Sequence, residues 1–196
     1  SQVALRIKAL RLQALARAEA FSVPADLRNA APEIYAQEQK LYQARQKELT
    51  AQLAVAQNQL LQRRQELNEV QARREQAERG LELAQQELSA TRPMVATGAV
   101  SEVEVLRLER DVAKLRGDRD QSIAQISRVR AAISEATRRI DEVKLTARNQ
   151  MSAELSDTLG KLSAMSEGRR VLEDKVQKTD IKSPVRSEEH TSELQS

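Results

Sequence analysis

The stretch that decides the fold is residues 92–101, Arg-Pro-Met-Val-Ala-Thr-Gly-Ala-Val-Ser, a short break between two long runs that favour helix. Pro93 disfavours helical geometry in the residue before it, and Gly98 can adopt the left-handed conformation that a chain reversal needs. Ser101 followed by Glu104 has the spacing of a capping box, which starts a returning helix. Because a short link between long helices makes them antiparallel neighbours, this break predicts a helical hairpin.

On both sides of the break, apolar residues recur at alternating spacings of four and three. This pattern runs from Tyr42 to the start of the break, and resumes from Val105 to about residue 150. A 3.5-residue repeat of this length is typical of coiled coils. At Ala147 the repeat slips to Met151, which predicts a stutter that locally relaxes the supercoil.

The two repeats also predict how the helices pair. If the chain reverses near Gly98, the residue numbers of facing side chains must add up to a constant. A total of 196 pairs the two repeats throughout, for example Val70 with Ile126 and Leu67 with Val129. We therefore predict that the hairpin is intramolecular and that its seam has this register.

The composition favours a thin apolar seam over a compact globule. Of the 196 residues only 2% are aromatic, Trp is absent and 31% are charged. Aromatic rings normally supply much of the buried area of a compact core, so their scarcity predicts an elongated, helical molecule. The net charge of +3 comes from 32 basic and 29 acidic residues that are interspersed. This is typical of a solvated helix surface and disfavours nucleic-acid binding.

Patterns typical of enzymes and metal sites are absent from the sequence. It has no Cys, and its one histidine is His190. There is no glycine-rich phosphate loop or nucleophile motif, and a helical hairpin lacks the desolvated pocket that a general acid or base needs. We therefore predict no catalytic activity, no cofactor, no metal and no small-molecule substrate. No run is long and apolar enough for a membrane span.

The sequence divides into segments of different character. We predict that residues 1–22 contain a short helix, of which residues 3–20 pack against residues 155–178 at the base of the hairpin. Residues 23–31 form a linker, and residues 32–178 form the helical hairpin with residues 92–101 as its tip. Residues 186–196 match the translation of a widely used sequencing adapter, and Ser1 resembles the middle of a helix. We therefore expect the natural protein to continue beyond both ends of this chain.

The hairpin tip is the candidate functional site. Met94, Val95, Ala99 and Val100 are apolar residues in a turn that has no core to enter. Exposed apolar groups gathered in one small patch favour a contact surface, while local packing within the turn is the alternative interpretation. The residues alone fit both.

Three features together resemble the HlyD-type membrane fusion proteins. They are the long hairpin, the tip pattern Gly98-Ala99-Val100-Ser101-x-x-Glu104, and the exit segment Thr-Asp-Ile-Lys-Ser-Pro-Val at residues 179–185. The resemblance covers residues 1–185. It implies an all-α fold, a long antiparallel coiled-coil hairpin with a short third helix at the base, followed by a fragment of a lipoyl-like β domain. In that family the other half of the β domain and an inner-membrane anchor precede the hairpin.

The resemblance implies a periplasmic adaptor of type I secretion or efflux in a Gram-negative bacterium. Such hairpins assemble side by side into a hexamer, contact an inner-membrane ABC transporter, and meet a TolC-like outer-membrane channel with their tips. The predicted partner-binding residues are Arg92, Met94, Val95, Gly98, Val100 and Ser101. Ser101 occupies the family's serine position and Met94 its leucine position. Arg92 lies two residues closer to the tip than the family's arginine, whose place Ala90 takes.

Two competing hypotheses fit the heptad pattern as well. A cytoplasmic coiled-coil spacer, such as the arm of a chromosome-organising ATPase, would have head domains on both sides and no β segment at residues 179–185. A DNA-binding helix bundle would bind with a steep salt dependence, which the balanced charge disfavours.

Overall fold

The computed structural model describes the backbone of residues 1–180 and the side chains of residues 1–178. In chain order its elements are α1 (Gln2–Arg17), α2 (Ala25–Ala30), α3 (Pro32–Thr91), a 3-10 helix (Arg92–Val95) and α4 (Glu102–Asp180). Residues 1–180 contain no strand, so the all-α prediction is confirmed for this part of the chain.

The two long helices have 60 residues in α3 and 79 in α4. α3 begins with Pro32, at a position where the missing backbone N–H of proline costs nothing. α4 continues through Thr179 and Asp180, the two residues predicted to open a fragment of a lipoyl-like β domain. Within the described residues, these first two positions of the segment are helical. The rest of that segment and the adapter-like residues 186–196 lie outside the described residues.

The chain divides into two compact units, and each long helix contributes to both. Unit 1 contains residues 1–46 together with the chain from Ala147 onward, and unit 2 contains residues 47–146. Unit 1 thus includes α1, α2 and one part of each long helix. Unit 2 includes the other parts and the tip.

Unit 2 is held together by an apolar seam between α3 and α4. The cluster at its centre consists of Val70, Ile126 and Val129, with Leu67 and Ile133 packed against it. Towards the tip the helices approach closely, since a Cβ on Gly80 would lie 3.3 Å from Cδ2 of Leu115. These contacts join residues that the 196 total places opposite or beside each other. The predicted antiparallel register is therefore confirmed at these layers.

In unit 1 a third helix, α1, contributes side chains to the core. Ile7 and Leu12 of α1 are fully buried, and Thr158 of α4 is nearly so. Nε of Arg11 on α1 donates a hydrogen bond to Oε2 of Glu38 on α3, at a distance of 2.5 Å. The two side chains form an ion pair and are only 7% and 13% exposed. Such a buried charge pair holds α1 in one position, because removing either partner would leave the other uncompensated.

The three aromatic residues of the chain meet where α1 connects to α3. The ring centroid of Phe21 lies 6.0 Å from that of Tyr35 and 5.5 Å from that of Tyr42. The Tyr42 hydroxyl donates a hydrogen bond to the backbone oxygen of Glu19 and accepts one from Nε2 of Gln46. Each of these hydrogen bonds has a donor–acceptor distance of 2.7 Å. This cluster fixes the connection, whose residues 25–30 form the short helix α2.

The contact of α1 with α4 differs from the prediction. α1 and α4 line a common groove, to which α4 contributes residues between Arg148 and Leu162. Met165, Leu172 and Val176, which were predicted to be covered, are exposed. α1 has 16 residues and covers about 24 Å, whereas residues 148–176 span about 42 Å. The helix is too short to cover both stretches, so the prediction is wrong beyond Leu162.

Candidate functional site at the hairpin tip

The tip is closed by a Schellman-type turn. The 3-10 helix Arg92–Val95 tightens the end of α3, and Gly98 follows with φ of 75°. The Ala99 N–H donates to the backbone oxygen of Met94, and the Gly98 N–H donates to the backbone oxygen of Val95. The N···O distance is 3.1 Å in both hydrogen bonds. These two bonds satisfy carbonyl groups that a helix end leaves unpaired. Gly98 therefore has the left-handed conformation that the sequence predicted.

Ser101 starts the returning helix. Its Oγ accepts a hydrogen bond from the Glu104 N–H over 3.3 Å, which is the first half of the predicted capping box. The Glu104 carboxylate accepts from Nη2 of Arg107 over 2.6 Å. Ser101 is also exposed, so its hydroxyl both caps α4 and lies at the surface of the tip.

The six predicted contact residues fall into two groups by exposure. Arg92, Met94, Gly98 and Ser101 are exposed, whereas Val95 and Val100 are partly buried. Both interpretations of the tip therefore apply to some of its apolar residues. Met94 is the large apolar side chain of the predicted set that is exposed and so can contact another protein.

Two apolar residues of the first turns of α4 are more exposed than Met94, which is 46% exposed. Val103 is 74% exposed and Leu106 is 60% exposed. The sequence analysis missed them, although the heptad pattern contains the signal. That pattern assigns Val105 and Leu108 to the seam, so Val103 and Leu106, which stand at other positions of the repeat, have no place in it. We call Met94, Val103 and Leu106 the apolar tip surface.

Two pairs of charged side chains lie next to the apolar tip surface. Nη2 of Arg92 lies 2.8 Å from Oε1 of Glu109 on α4, and Arg107 pairs with Glu104. The first pair links the 3-10 helix to α4 across the end of the hairpin. Because both pairs are exposed, each contributes at most about 1 kcal/mol.

Clear pKa shifts among residues 1–178 occur in unit 1, on exposed faces of α4. A hydrogen bond from Lys161 lowers the pKa of Asp157, and a hydrogen bond to Glu173 raises the pKa of Arg169. Both are ion pairs between residues four apart, as expected on a solvated helix. In the same residues no group of His, Cys, Asp or Glu side chains is placed to hold a metal ion. None of the described helices has a stretch long and apolar enough to cross a membrane.

Known proteins share this architecture. A family model described as AprE, long alpha-helical hairpin, matches residues 1–175. The type I secretion system membrane fusion protein PrsE of Rhizobium meliloti (strain 1021) is 27% identical over 173 residues. That match covers 86% of this chain and 39% of PrsE, so the chain spans well under half the length of this relative.

A solved structure has the same fold. It is the crystal structure of the soluble domain of LipC, a membrane fusion protein of a type I secretion system. The TM-score is 0.81 at 18% sequence identity, and the match covers 95% of this chain and 90% of the LipC chain. At this identity the likeness shows a shared fold.

Proposed function

Because the chain belongs to the AprE family of long α-helical hairpins, we propose that it is the hairpin of a membrane fusion protein in type I protein secretion. The predicted resemblance to membrane fusion proteins is confirmed by the family match and by PrsE. In this role the parent protein bridges an inner-membrane ABC transporter and a TolC-like outer-membrane channel. The hairpin lies in the periplasm, and the parent is anchored in the inner membrane by a segment that precedes it and assembles as a hexamer.

The observation that carries this proposal is the apolar tip surface. Val103 and Leu106 are three residues apart, so they lie on one face of α4. Large apolar side chains exposed together in this way favour a contact with another protein. The turn that presents them already satisfies its own backbone hydrogen bonds through Gly98 and Ser101, so docking needs no rearrangement of the tip. We propose that Val103 and Leu106 extend the contact made by Met94 and Ser101 with the channel.

The competing hypothesis, a cytoplasmic coiled-coil spacer, has no support among the relatives described above. Both are membrane fusion proteins of type I secretion systems by description. Those descriptions refer to membrane fusion and not to catalysis. They favour the prediction that this chain is a structural and docking element.

A secretion assay with the full-length parent protein tests the docking role. We expect Met94→Glu, Ser101→Glu and Leu106→Glu each to lower secretion by about tenfold or more, because each places a charge in a desolvated contact. The matched control is Leu145→Glu, which changes another leucine of α4 that is 57% exposed but lies away from the tip.

Circular dichroism on the same variants separates docking from folding. The proposal requires unchanged helix content together with lost secretion for the tip variants, and normal secretion for Leu145→Glu. Normal secretion by Leu106→Glu and Met94→Glu would show that the tip makes no essential contact.

A further inference from the structure

Unit 1 has an apolar groove that the proposed function does not use. It runs between α1 and α4, has a volume of about 670 Å³, and is also lined by Pro24 and Leu27 of the connecting segment. Its volume is in the range of binding sites rather than of packing defects. It lies wholly within unit 1 and does not include the tip residues.

The α4 wall of the groove has the spacing of a coiled-coil seam. Its lining residues are Arg148, Ser152, Leu155, Leu159 and Leu162. Their separations alternate between four and three, which is the pattern that meets a partner helix. This row is distinct from the neighbouring row that includes the buried residues Met151 and Thr158, which face the core of unit 1. α4 therefore presents a second heptad face towards the groove.

The α1 wall has the same spacing. Arg6, Leu10, Gln13 and Arg17 are separated by four, three and four residues, and Ala9 and Ala16 line the groove beside them. α1 is held in place from its other side by the buried side chains of Ile7, Leu12 and Arg11, so the wall is preformed. α1 and α4 thus each present a heptad row to the groove. The space between the two rows is the place that a further helix would occupy in a coiled coil.

The charges of the groove are all positive. Arg6, Arg17 and Arg148 line it, and its lining includes no Asp or Glu. Within residues 1–178 these three arginines form no ion pair, whereas exposed arginines such as Arg63 and Arg169 pair with a glutamate on their own helix. Arg6 and Arg17 are eleven residues apart, so they lie about 16 Å apart near opposite ends of the α1 wall.

We propose that this groove binds an amphipathic helix of a partner protein. That helix has an apolar stripe at alternating spacings of three and four over about three turns, and acidic residues about eleven positions apart that meet the arginines. An acyl chain with one anionic head group fits less well, because arginines stand at both ends of the groove and because both walls have helical spacing. The proposal is independent of tip docking.

The test uses a fluorescently labelled helical peptide of about five turns, with leucines at heptad spacing and two glutamates eleven positions apart. A second peptide has lysines in place of the glutamates. We expect saturable binding of the glutamate peptide, measured by fluorescence anisotropy, and binding weaker by about tenfold or more for the lysine peptide.

Two variants locate the binding site. Leu159→Asp places a charge in the α4 wall, and Leu145→Asp is its matched control, since these leucines are 50% and 57% exposed on the same helix. Arg17→Glu, at an exposed position, reverses one of the terminal charges without touching the core. We expect Leu159→Asp and Arg17→Glu each to weaken binding of the glutamate peptide by about tenfold, and Leu145→Asp to leave it unchanged.

Other occupants give different results. Equal binding of both peptides, or binding that Leu159→Asp leaves intact, would overturn the proposal. So would binding of oleate without binding of the glutamate peptide, which would identify a lipid site. Concentration-dependent self-association that Leu159→Asp abolishes would identify a second copy of this chain as the occupant, and would also overturn it.

Discussion

The two units are built from the same two long helices, yet they bury their side chains differently. In unit 2, Val70 is fully buried, whereas its seam neighbours Ile126 and Val129 remain 5% and 4% exposed, because a two-helix seam has water on both sides. In unit 1, Ile7 and Leu12 are completely buried, because α1 supplies a third wall. The comparison shows that α1 brings its own fully buried side chains into unit 1, whereas in the two-helix seam of unit 2 full burial is reached at Val70.

The same comparison explains where the candidate binding surfaces lie. Unit 2 ends in a turn with no third helix over it, so Met94, Val103 and Leu106 are exposed. In unit 1, α1 covers one face of the helix pair but creates a new groove along its own edge. In both units a heptad helix has more apolar residues than its partners within the described chain can cover.

The largest expected effect compares the same substitution in the two units. We expect Ile7→Ala to lower the free energy of unfolding of unit 1 by about 4 kcal/mol, and Ile126→Ala to lower that of unit 2 by about 2 kcal/mol. The difference follows from the completeness of burial of each side chain. Amide hydrogen exchange resolves the two units separately. Equal losses would show that the third helix adds no shielding.

The buried charge pair of unit 1 gives the next largest effect. Arg11→Ala leaves Glu38 buried without a partner and should destabilise unit 1 by about 3 kcal/mol, measured by urea denaturation. The double change Arg11→Met with Glu38→Leu should recover most of this loss. Arg63→Ala removes an exposed pair with Glu66 and should cost less than about 0.5 kcal/mol. A similar cost for both arginines would contradict the buried position of Arg11.

A smaller effect tests the turn of unit 2. Gly98 has φ of 75°, so Gly98→Ala should destabilise the hairpin by about 1 kcal/mol although open space surrounds the new Cβ. Gly117 also has open space around it but lies inside α4, so Gly117→Ala should stabilise the helix by up to about 1 kcal/mol. Thermal unfolding measures both. A Gly98→Ala variant as stable as the wild type would show that the turn does not need a left-handed residue.

The smallest effect concerns Arg92. Because its pair with Glu109 is exposed, Arg92→Ala should change the stability of unit 2 by less than about 0.5 kcal/mol. Its guanidinium already has a partner within the chain, so we also expect secretion by this variant to stay near the wild-type level. A loss as large as that of Leu106→Glu would make Arg92 a direct contact with the channel.

Features that depend on neighbouring residues or on a repeat were predictable from the sequence. The facing layers could be predicted because the residue numbers of facing side chains add up to 196. This sum stays constant since neither heptad run has an insertion between the turn and the layers compared. The conformation of Gly98 and the cap at Ser101 follow from local backbone chemistry. Val103 and Leu106 were also within reach, since the template for α4 leaves them out of the seam.

Features that depend on long-range register were not predictable. The apolar heptad positions Met165, Leu172 and Val176 predict contact with another helix. The pattern does not show whether α1 is long enough to reach them. The pairing of Arg11 with Glu38 joins two helices whose relative register no periodic pattern specifies. Thr179 and Asp180 are helical, whereas the resemblance to a β segment implied that the helix ends before them.

The central claim, that the tip presents an apolar surface to an outer-membrane channel, can be tested by photo-crosslinking in cells. A photoreactive residue replaces Leu106 in the full-length parent protein, and in a parallel strain it replaces the similarly exposed Leu145 of the same helix. We predict a crosslink from position 106 to a TolC-like channel and none from position 145. A crosslink to the channel from position 145 with none from position 106 would contradict docking through the tip.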